Sequence, residues 1–215
     1  MDRKLLAWGL RGRPSGLPRL WLFTDAQRLP DPRQSVAALP RGRAGVVLRH
    51  DHDPARAALG RDLARICRER RLLLVVAGDV RLAVRLGAGV HLRGGFWPGP
   101  LRRFGLVTSS AHAIPDLRRA GAAGAGLVFL SPAFPTASHA GAPGLGPLRW
   151  AAMARGFVDA KPAVAVAALG GIDGWSVARL PPRRVRAIGA IGALSQPAKS
   201  LPTNSQPQTE AGVGI

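Results

Sequence analysis

The sequence has no tyrosine, a single cysteine and only three lysines. Because Cys67 is the one cysteine, an intrachain disulfide is excluded. No run of about 20 uncharged apolar residues occurs, which argues against a membrane-spanning helix. The N-terminus has neither a long apolar run nor a clear cleavage site, so no signal peptide is predicted. We therefore expect a cytoplasmic protein with no membrane partner.

Acidic residues are also scarce, and positive charge is in large excess. The chain has 31 Lys and Arg against 12 Asp and Glu, a formal net charge of +19. The arginines are scattered, and no segment combines them with the aromatic residues on which a single-stranded nucleic acid stacks. We expect no specific nucleic-acid partner, although charge of this size attracts anions in general.

Eight short apolar runs recur along the chain and predict eight strands. They occupy residues 20–24, 45–48, 72–77, 89–92, 105–108, 127–130, 163–169 and 187–191. Segments with helical spacing lie between them, at 54–69, 80–86, 114–122 and 148–155. Strands that alternate with helices predict a parallel sheet with right-handed crossovers.

Eight such units in 215 residues predict an α/β fold, a single-domain (β/α)8 TIM barrel. An open doubly wound sheet is the alternative. Residues 1–18 are predicted to be an irregular basic segment, residues 19–194 the barrel, and residues 195–215 a disordered tail. The tail is rich in Pro, Ser and Gln and lacks periodicity, which is typical of disorder.

Polar residues gather where the apolar runs end. In a parallel barrel those ends converge on one mouth, the usual place of an active site. Gly170 and Gly171 follow the seventh run, where barrels commonly bind phosphate through backbone N–H groups. His91 lies within the fourth run and is predicted to be a core histidine. The H-D-H-D stretch at 50–53 offers alternate residues that could share a metal ion, although Asp53 equally suits a helix cap.

Four motifs in order resemble one known family. They are G-V-H-L at 89–92, S-A-H at 110–112, the loop S-P-A-F-P-T-A-S-H-A-G-A-P-G-L-G-P-L at 131–148, and A-L-G-G-I at 168–172. Together they resemble the thiamine phosphate synthase/TenI family over about residues 20–194.

The resemblance implies a barrel that acts on small phosphorylated substrates. The synthase joins a pyrimidine pyrophosphate to a thiazole phosphate, with Mg2+ and release of pyrophosphate, whereas TenI-like members tautomerise the thiazole phosphate. By position, Arg49 and Ser110 match groups that contact the pyrophosphate, and Asp79 matches a metal ligand. The residues that match the thiazole-phosphate site are Thr136, Ser138, Gly170, Gly171, Ile191 and Gly192.

The sequence departs from the family pattern at several of these positions. The family's Q-x-R-x-K reads V-L-R-H-D at 47–51, its second metal aspartate falls near Phe96, and the lysine after its Thr-rich loop is His139. Arg93 and Arg102 are candidate replacement cations.

Three functions therefore stay open: a synthase; a TenI-like tautomerase; and a non-catalytic regulatory barrel that binds thiamine phosphate. His139 and His112 are the candidate general acid and base, because their ordinary pKa lies nearest neutrality.

Overall fold

The computed structural model describes residues 1–11, 16–97, 105–136, 141, 143–182 and 184–195. Eight parallel strands close into one barrel in chain order, which confirms the predicted fold class. The strands are β1 Leu20–Phe23, β2 Ala44–Leu48, β3 Leu73–Ala77, β4 Gly89–Arg93, β5 Val107–Ala111, β6 Leu127–Leu130, β7 Ala165–Leu169 and β8 Ala187–Ala190.

Helices alternate with the strands. They are α1 Arg3–Leu10, α2 Arg33–Ala37, α3 Arg56–Arg70, α4 Val80–Leu86, α5 Ile114–Ala122 and α6 Gly146–Ala160, with 3-10 turns at Val177–Arg179 and Gly192–Leu194. No helix in the described part of the chain is long and apolar enough to cross a membrane.

Most of the strands are nearly continuous apolar runs because they are buried on both faces. Every residue of β1, β2, β6 and β8 is buried. Leu20 pairs with Ala44 of β2 on one side and with Ile188 of β8 on the other, which closes the barrel.

Three aromatic rings pack edge to face inside the barrel although the chain has few aromatics. The Phe129 ring lies 5.7 Å from the Trp21 ring and 4.8 Å from the Phe23 ring, centroid to centroid. Glycines on the neighbouring strands make this possible. A Cβ at Gly45 would lie 2.4 Å from the Trp21 ring, and one at Gly189 would lie 2.7 Å from the Phe23 ring. Small residues on β2 and β8 thus compensate for large ones on β1.

The segment 1–18, predicted to be irregular, contains a helix, α1. Asp2 caps it, because its Oδ1 accepts a hydrogen bond from the Leu5 N–H at 3.0 Å. Leu5 and Trp8 are buried, so tertiary packing adds to the cap.

Helix α1 runs along the outside of the barrel from one end to the other. At its start, the Asp2 N–H donates to the Ala193 carbonyl beyond β8, at 2.7 Å. At its end, the Arg43 guanidinium, just before β2, donates to the Leu10 carbonyl at 2.9 Å. The N-terminus therefore lies at the carboxyl ends of the strands.

Strand β5 lies further along the chain than its apolar run, 105–108, predicted. Ser109 and Ser110 belong to the strand instead of the following loop. The Ser109 hydroxyl is buried but accepts from the Gly95 N–H at 3.0 Å and donates to the Ser110 carbonyl at 3.0 Å. Because these bonds satisfy the hydroxyl, it can lie in the interior.

Candidate active site

A cavity of about 880 Å³ opens at the carboxyl ends of the strands. Phe23 and His91 line it from the barrel interior, and residues after most of the strands form its walls. Its volume lies within the range of small-molecule sites, about 300–1,000 Å³. Of the predicted site residues, Arg49, Ser110, His112, Thr136, Gly170, Gly171, Ile191 and Gly192 all line it.

Two glycines after β7 form one wall. Gly170 and Gly171 have φ of +87° and +64°, a left-handed conformation that favours glycine. A Cβ at Gly171 would lie 2.5 Å from the Pro135 carbonyl oxygen, so only glycine fits beside the loop that carries Thr136. Among the described residues, no acceptor takes the Gly171 N–H. Within the described ranges, this N–H of a residue that lines the cavity therefore has no protein acceptor.

The chain after β8 extends the same wall. Ile191 and Gly192 line the cavity where the 3-10 turn Gly192–Leu194 begins. Backbone N–H groups at the start of a turn, next to a glycine-rich loop, suit an anion. The part of the cavity lined by Gly170, Gly171, Ile191 and Gly192 is called the glycine wall below.

Two carboxylates lie near the glycine wall, and both are engaged by backbone donors. Burial alone would raise the pKa of Asp2, but hydrogen bonds from the Leu5 and Gly174 N–H groups, at 3.0 and 2.7 Å, lower the pKa overall. The Ser176 N–H is the main cause of the lowered pKa of Asp173. Both carboxylates therefore stay ionised and hold the local backbone in place.

Arginines line the wall across the barrel. Arg49 follows β2, and among the described residues no carboxylate forms an ion pair with it. Arg93 ends β4, and its Nη2 lies 2.5 Å from Asp51 Oδ1. Arg28, beyond β1, pairs with Asp25 at 2.9 Å. Arg28, Arg49 and Arg93 are called the arginine wall below.

His91 is a core histidine, as predicted. It is 3% exposed, and its Nδ1 lies 2.8 Å from the Thr108 hydroxyl. Burial first, and then the positive charges of Arg49 and Arg93, lower the pKa of His91 to about 3. The ring therefore stays neutral beneath the arginine wall.

His112 and Ser110 lie between the two walls. His112 Nδ1 lies 3.0 Å from the Ser131 carbonyl oxygen. Because a carbonyl only accepts, this contact requires the proton on Nδ1, so in the neutral ring Nε2 is the basic nitrogen. The Ser110 hydroxyl accepts from the Gly94 N–H at 3.4 Å and so contacts the loop after Arg93.

The predicted magnesium ligand does not lie in the cavity wall. Asp79 caps α4, where its Oδ1 accepts from the Leu82 N–H at 2.8 Å, and it is not among the lining residues. Nowhere in the described ranges do three His, Cys, Asp or Glu side chains come together as metal ligands. Mg2+ is usually held by one or two carboxylates together with substrate phosphates and waters. The carboxylates that line the cavity are already engaged, Asp2 and Asp173 by backbone N–H groups and Asp51 by an arginine, so these donors do not fit the ion.

The H-D-H-D stretch does not form a metal site either. Both ring nitrogens of the buried His50 are engaged, by the Thr24 hydroxyl at 2.9 Å and the Pro30 carbonyl at 3.1 Å. Asp53 accepts from the Ala55 N–H at 2.8 Å, but the N-cap of α3 is Ala55, without a side-chain hydrogen bond, so Asp53 orders the turn before the helix and does not cap it.

Some predicted residues lie outside the described ranges, and some lining residues were not predicted. Ser138, His139 and Arg102 belong to the first group. Asp2 and Arg28 belong to the second. The signal for Arg28 was its position just after the first apolar run.

The comparisons with known proteins agree with this geometry. Residues 20–194 match the family described as thiamine monophosphate synthase. Thiamine phosphate pyrophosphorylase from Pyrococcus furiosus is similar in structure, with a TM-score of 0.63 and 24% identity over 80% of this chain and 85% of that one. The enzyme of the same name from Bacteroides thetaiotaomicron gives 0.56 and 18% over 82% and 84%.

A barrel described as a HpcH/HpaI aldolase/citrate lyase family protein, from Burkholderia cenocepacia, gives a TM-score of 0.55 and 16% identity over 81% of this chain and 88% of its own. At such identities structural likeness shows the fold alone. The family match is more specific because it covers nearly the whole barrel. The chain therefore belongs to the thiamine monophosphate synthase family.

Proposed function

We propose that this protein joins a pyrimidine pyrophosphate to a thiazole phosphate, forming thiamine phosphate and pyrophosphate. The observation that carries the proposal is that one cavity has two separate walls whose residues suit anions, one lined by glycines and one by arginines. The glycine wall follows β7 and β8, and the arginine wall follows β1, β2 and β4. An enzyme with one phosphorylated substrate needs only one such wall.

The two walls differ in the charge that they can bind. Backbone N–H groups at the glycine wall suit a phosphate monoester, whose charge they meet through hydrogen bonds. The arginine wall offers full positive charges, which suit a diphosphate. The thiazole phosphate accordingly binds beside Gly171 and Thr136, and the pyrimidine pyrophosphate binds beside Arg49.

The reaction follows from this placement. The bond between the pyrimidine methylene carbon and the pyrophosphate oxygen breaks, and the electron pair leaves with the oxygen. The thiazole nitrogen then donates its lone pair to the methylene carbon and forms the new C–N bond. Guanidinium groups fixed beside the departing oxygens stabilise the charge that develops there. Thiazole nitrogen carries no proton in this step, so no base is required.

The test is a direct assay of the full chain with both substrates. Thiamine phosphate is measured by mass spectrometry and pyrophosphate by a coupled enzyme, in equal amounts if the proposal holds. Arg49→Gln should lower turnover. Arg61→Gln should not, because Arg61 is an exposed residue of α3. Production of neither compound at enzyme concentrations near those of the substrates would refute the proposal.

His112 favours a second candidate, the TenI-like tautomerase. Its Nδ1 lies 3.0 Å from the Ser131 carbonyl oxygen, so in the neutral ring Nε2 carries the basic lone pair, and the residue lines the cavity. The tautomerase needs only the thiazole phosphate and exchanges a ring proton with solvent. NMR in D2O detects this exchange, which should be absent from a synthase given the thiazole phosphate alone.

A further inference from the structure

The mouth of the barrel beside β3 and β4 is basic where a metal-binding site would need carboxylates. Asp79 is committed to the cap of α4, and β4 ends in Arg93, followed by Gly94 and Gly95. Phe96 stacks on the Arg119 guanidinium, 4.5 Å from its ring centroid. A diphosphate bound here therefore faces an arginine and no cluster of acidic ligands.

Arg93 is held in place by its neighbours. Its Nη2 lies 2.5 Å from Asp51 Oδ1, at the end of β2. Its guanidinium lies against Gly78, where a Cβ would be 3.4–3.5 Å from the guanidinium atoms. About half of the side chain, 56%, is still exposed. The guanidinium is thus turned across the end of β3 with much of its surface left for a ligand.

The single negative charge of Asp51 does not neutralise all of the arginine charges around it. Asp51 Oδ1 also lies 3.5 Å from Arg56 Nη2, so two arginines share one carboxylate. Arg49 has no acidic partner among the described residues. The lowered pKa of His91, caused first by burial and then by Arg49 and Arg93, agrees with both charges lying over the cavity floor.

We infer that Arg93, together with Arg49, binds the diphosphate of the second substrate directly, so that this site holds its leaving group without a divalent cation. The inference rests on the proposed function, because it assigns the diphosphate end of the same cavity. A guanidinium presents several N–H donors in one plane and can engage two phosphate oxygens at once. Two such groups supply positive charge at the oxygen that receives the electron pair as the C–O bond breaks.

The test is calorimetric titration of the full chain with inorganic pyrophosphate at 0.15 M salt, in EDTA and then in excess Mg2+. We expect one pyrophosphate per chain in EDTA and no tighter binding with Mg2+. Arg93→Gln should weaken binding about tenfold or more, the effect of a lost charged hydrogen bond. Arg61→Gln removes the same charge from the exposed side of α3 and should change the affinity by less than about twofold.

Two results would overturn the inference: binding that needs Mg2+, or Arg93→Gln binding as tightly as Arg61→Gln. The Mg2+ titration uses the unaltered chain, so it remains decisive even if a variant is poorly folded. Failure of the proposed function is a separate outcome. If thiamine phosphate forms only with Mg2+, the proposed function holds and the inference of a metal-free site is wrong. If pyrophosphate binds through Arg93 but no thiamine phosphate forms, the diphosphate site holds and the proposed function is wrong.

Discussion

Replacing Gly171 by alanine tests the glycine wall directly. Its φ of +64° is unfavourable for alanine by about 1–2 kcal/mol. The added Cβ would also lie 2.5 Å from the Pro135 carbonyl oxygen and 2.8 Å from Phe134 Cβ, so the loop after β6 must move by several tenths of an ångström. Overpacking of this kind destabilises by about 1–3 kcal/mol. The same movement displaces Thr136, so the affinity for thiazole phosphate should fall together with stability.

Gly87 provides the matched control for this variant. It has nearly the same φ, +61°, but a Cβ there meets nothing within 4 Å. Gly87→Ala therefore introduces only the backbone strain of a positive φ. The difference in unfolding free energy between the two variants measures the cost of the steric clash at Gly171. We expect Gly171→Ala to be less stable than Gly87→Ala by about 1–3 kcal/mol in urea unfolding, or about 2–4 °C in Tm for each kcal/mol. Equal stability and equal affinity for thiazole phosphate in the two variants would refute the reasoning.

Three further predictions concern single side chains. Arg49→Gln should weaken pyrophosphate binding about tenfold in calorimetry while changing the unfolding free energy by less than about 0.5 kcal/mol, since Arg49 forms no ion pair with any described residue; a large loss of stability would contradict this. His112→Ala should lower thiamine phosphate formation, measured by mass spectrometry, less than about tenfold, because the bond-forming step needs no base; a loss near a thousandfold would assign His112 to proton transfer. Because the pKa of His91 is about 3 when folded and about 6.5 when unfolded, only the unfolded chain takes up this proton between those values. Stability should therefore fall as the pH drops from 6.5 to 4.5, and His91→Gln should lessen the slope by up to about 1.4 kcal/mol per pH unit; equal slopes in urea unfolding would contradict the assignment.

The order of the strands could be predicted from the sequence because buried parallel strands are apolar throughout. Strand β6 begins and ends where its run does. Strand β5 was misplaced because Ser109 and Ser110 lie near its end, and a polar residue ordinarily indicates a loop. At the top of a barrel the same residue can line a cavity or bond to a neighbouring loop, as Ser110 does to Gly94. Only the pairing of β5 with its neighbouring strands shows which of these two places a given serine occupies.

The walls of the cavity were predictable in part. Gly170 and Gly171 could be predicted to line the cavity because they follow the seventh apolar run, where barrels commonly bind phosphate. The position of the Arg93 guanidinium depends on its ion pair with Asp51, which is far away in sequence. It also depends on Gly78, which has no side chain to fill the space against which the guanidinium lies. Helix α1 was missed although Asp2 is a good capping residue, because the stability of a short helix comes mainly from packing that the sequence does not display.

The path of α1 has a practical consequence. Because its first turn is joined to Gly174 and Ala193, residues fused ahead of Met1 would emerge at the rim of the cavity that Asp2 lines. An affinity tag at that end would compete with the ligand for space, and its removal would change the measured affinity. Fraying of the same turn would loosen the rim, so a bound thiazole phosphate should slow hydrogen exchange of the α1 amides as well as those that it touches.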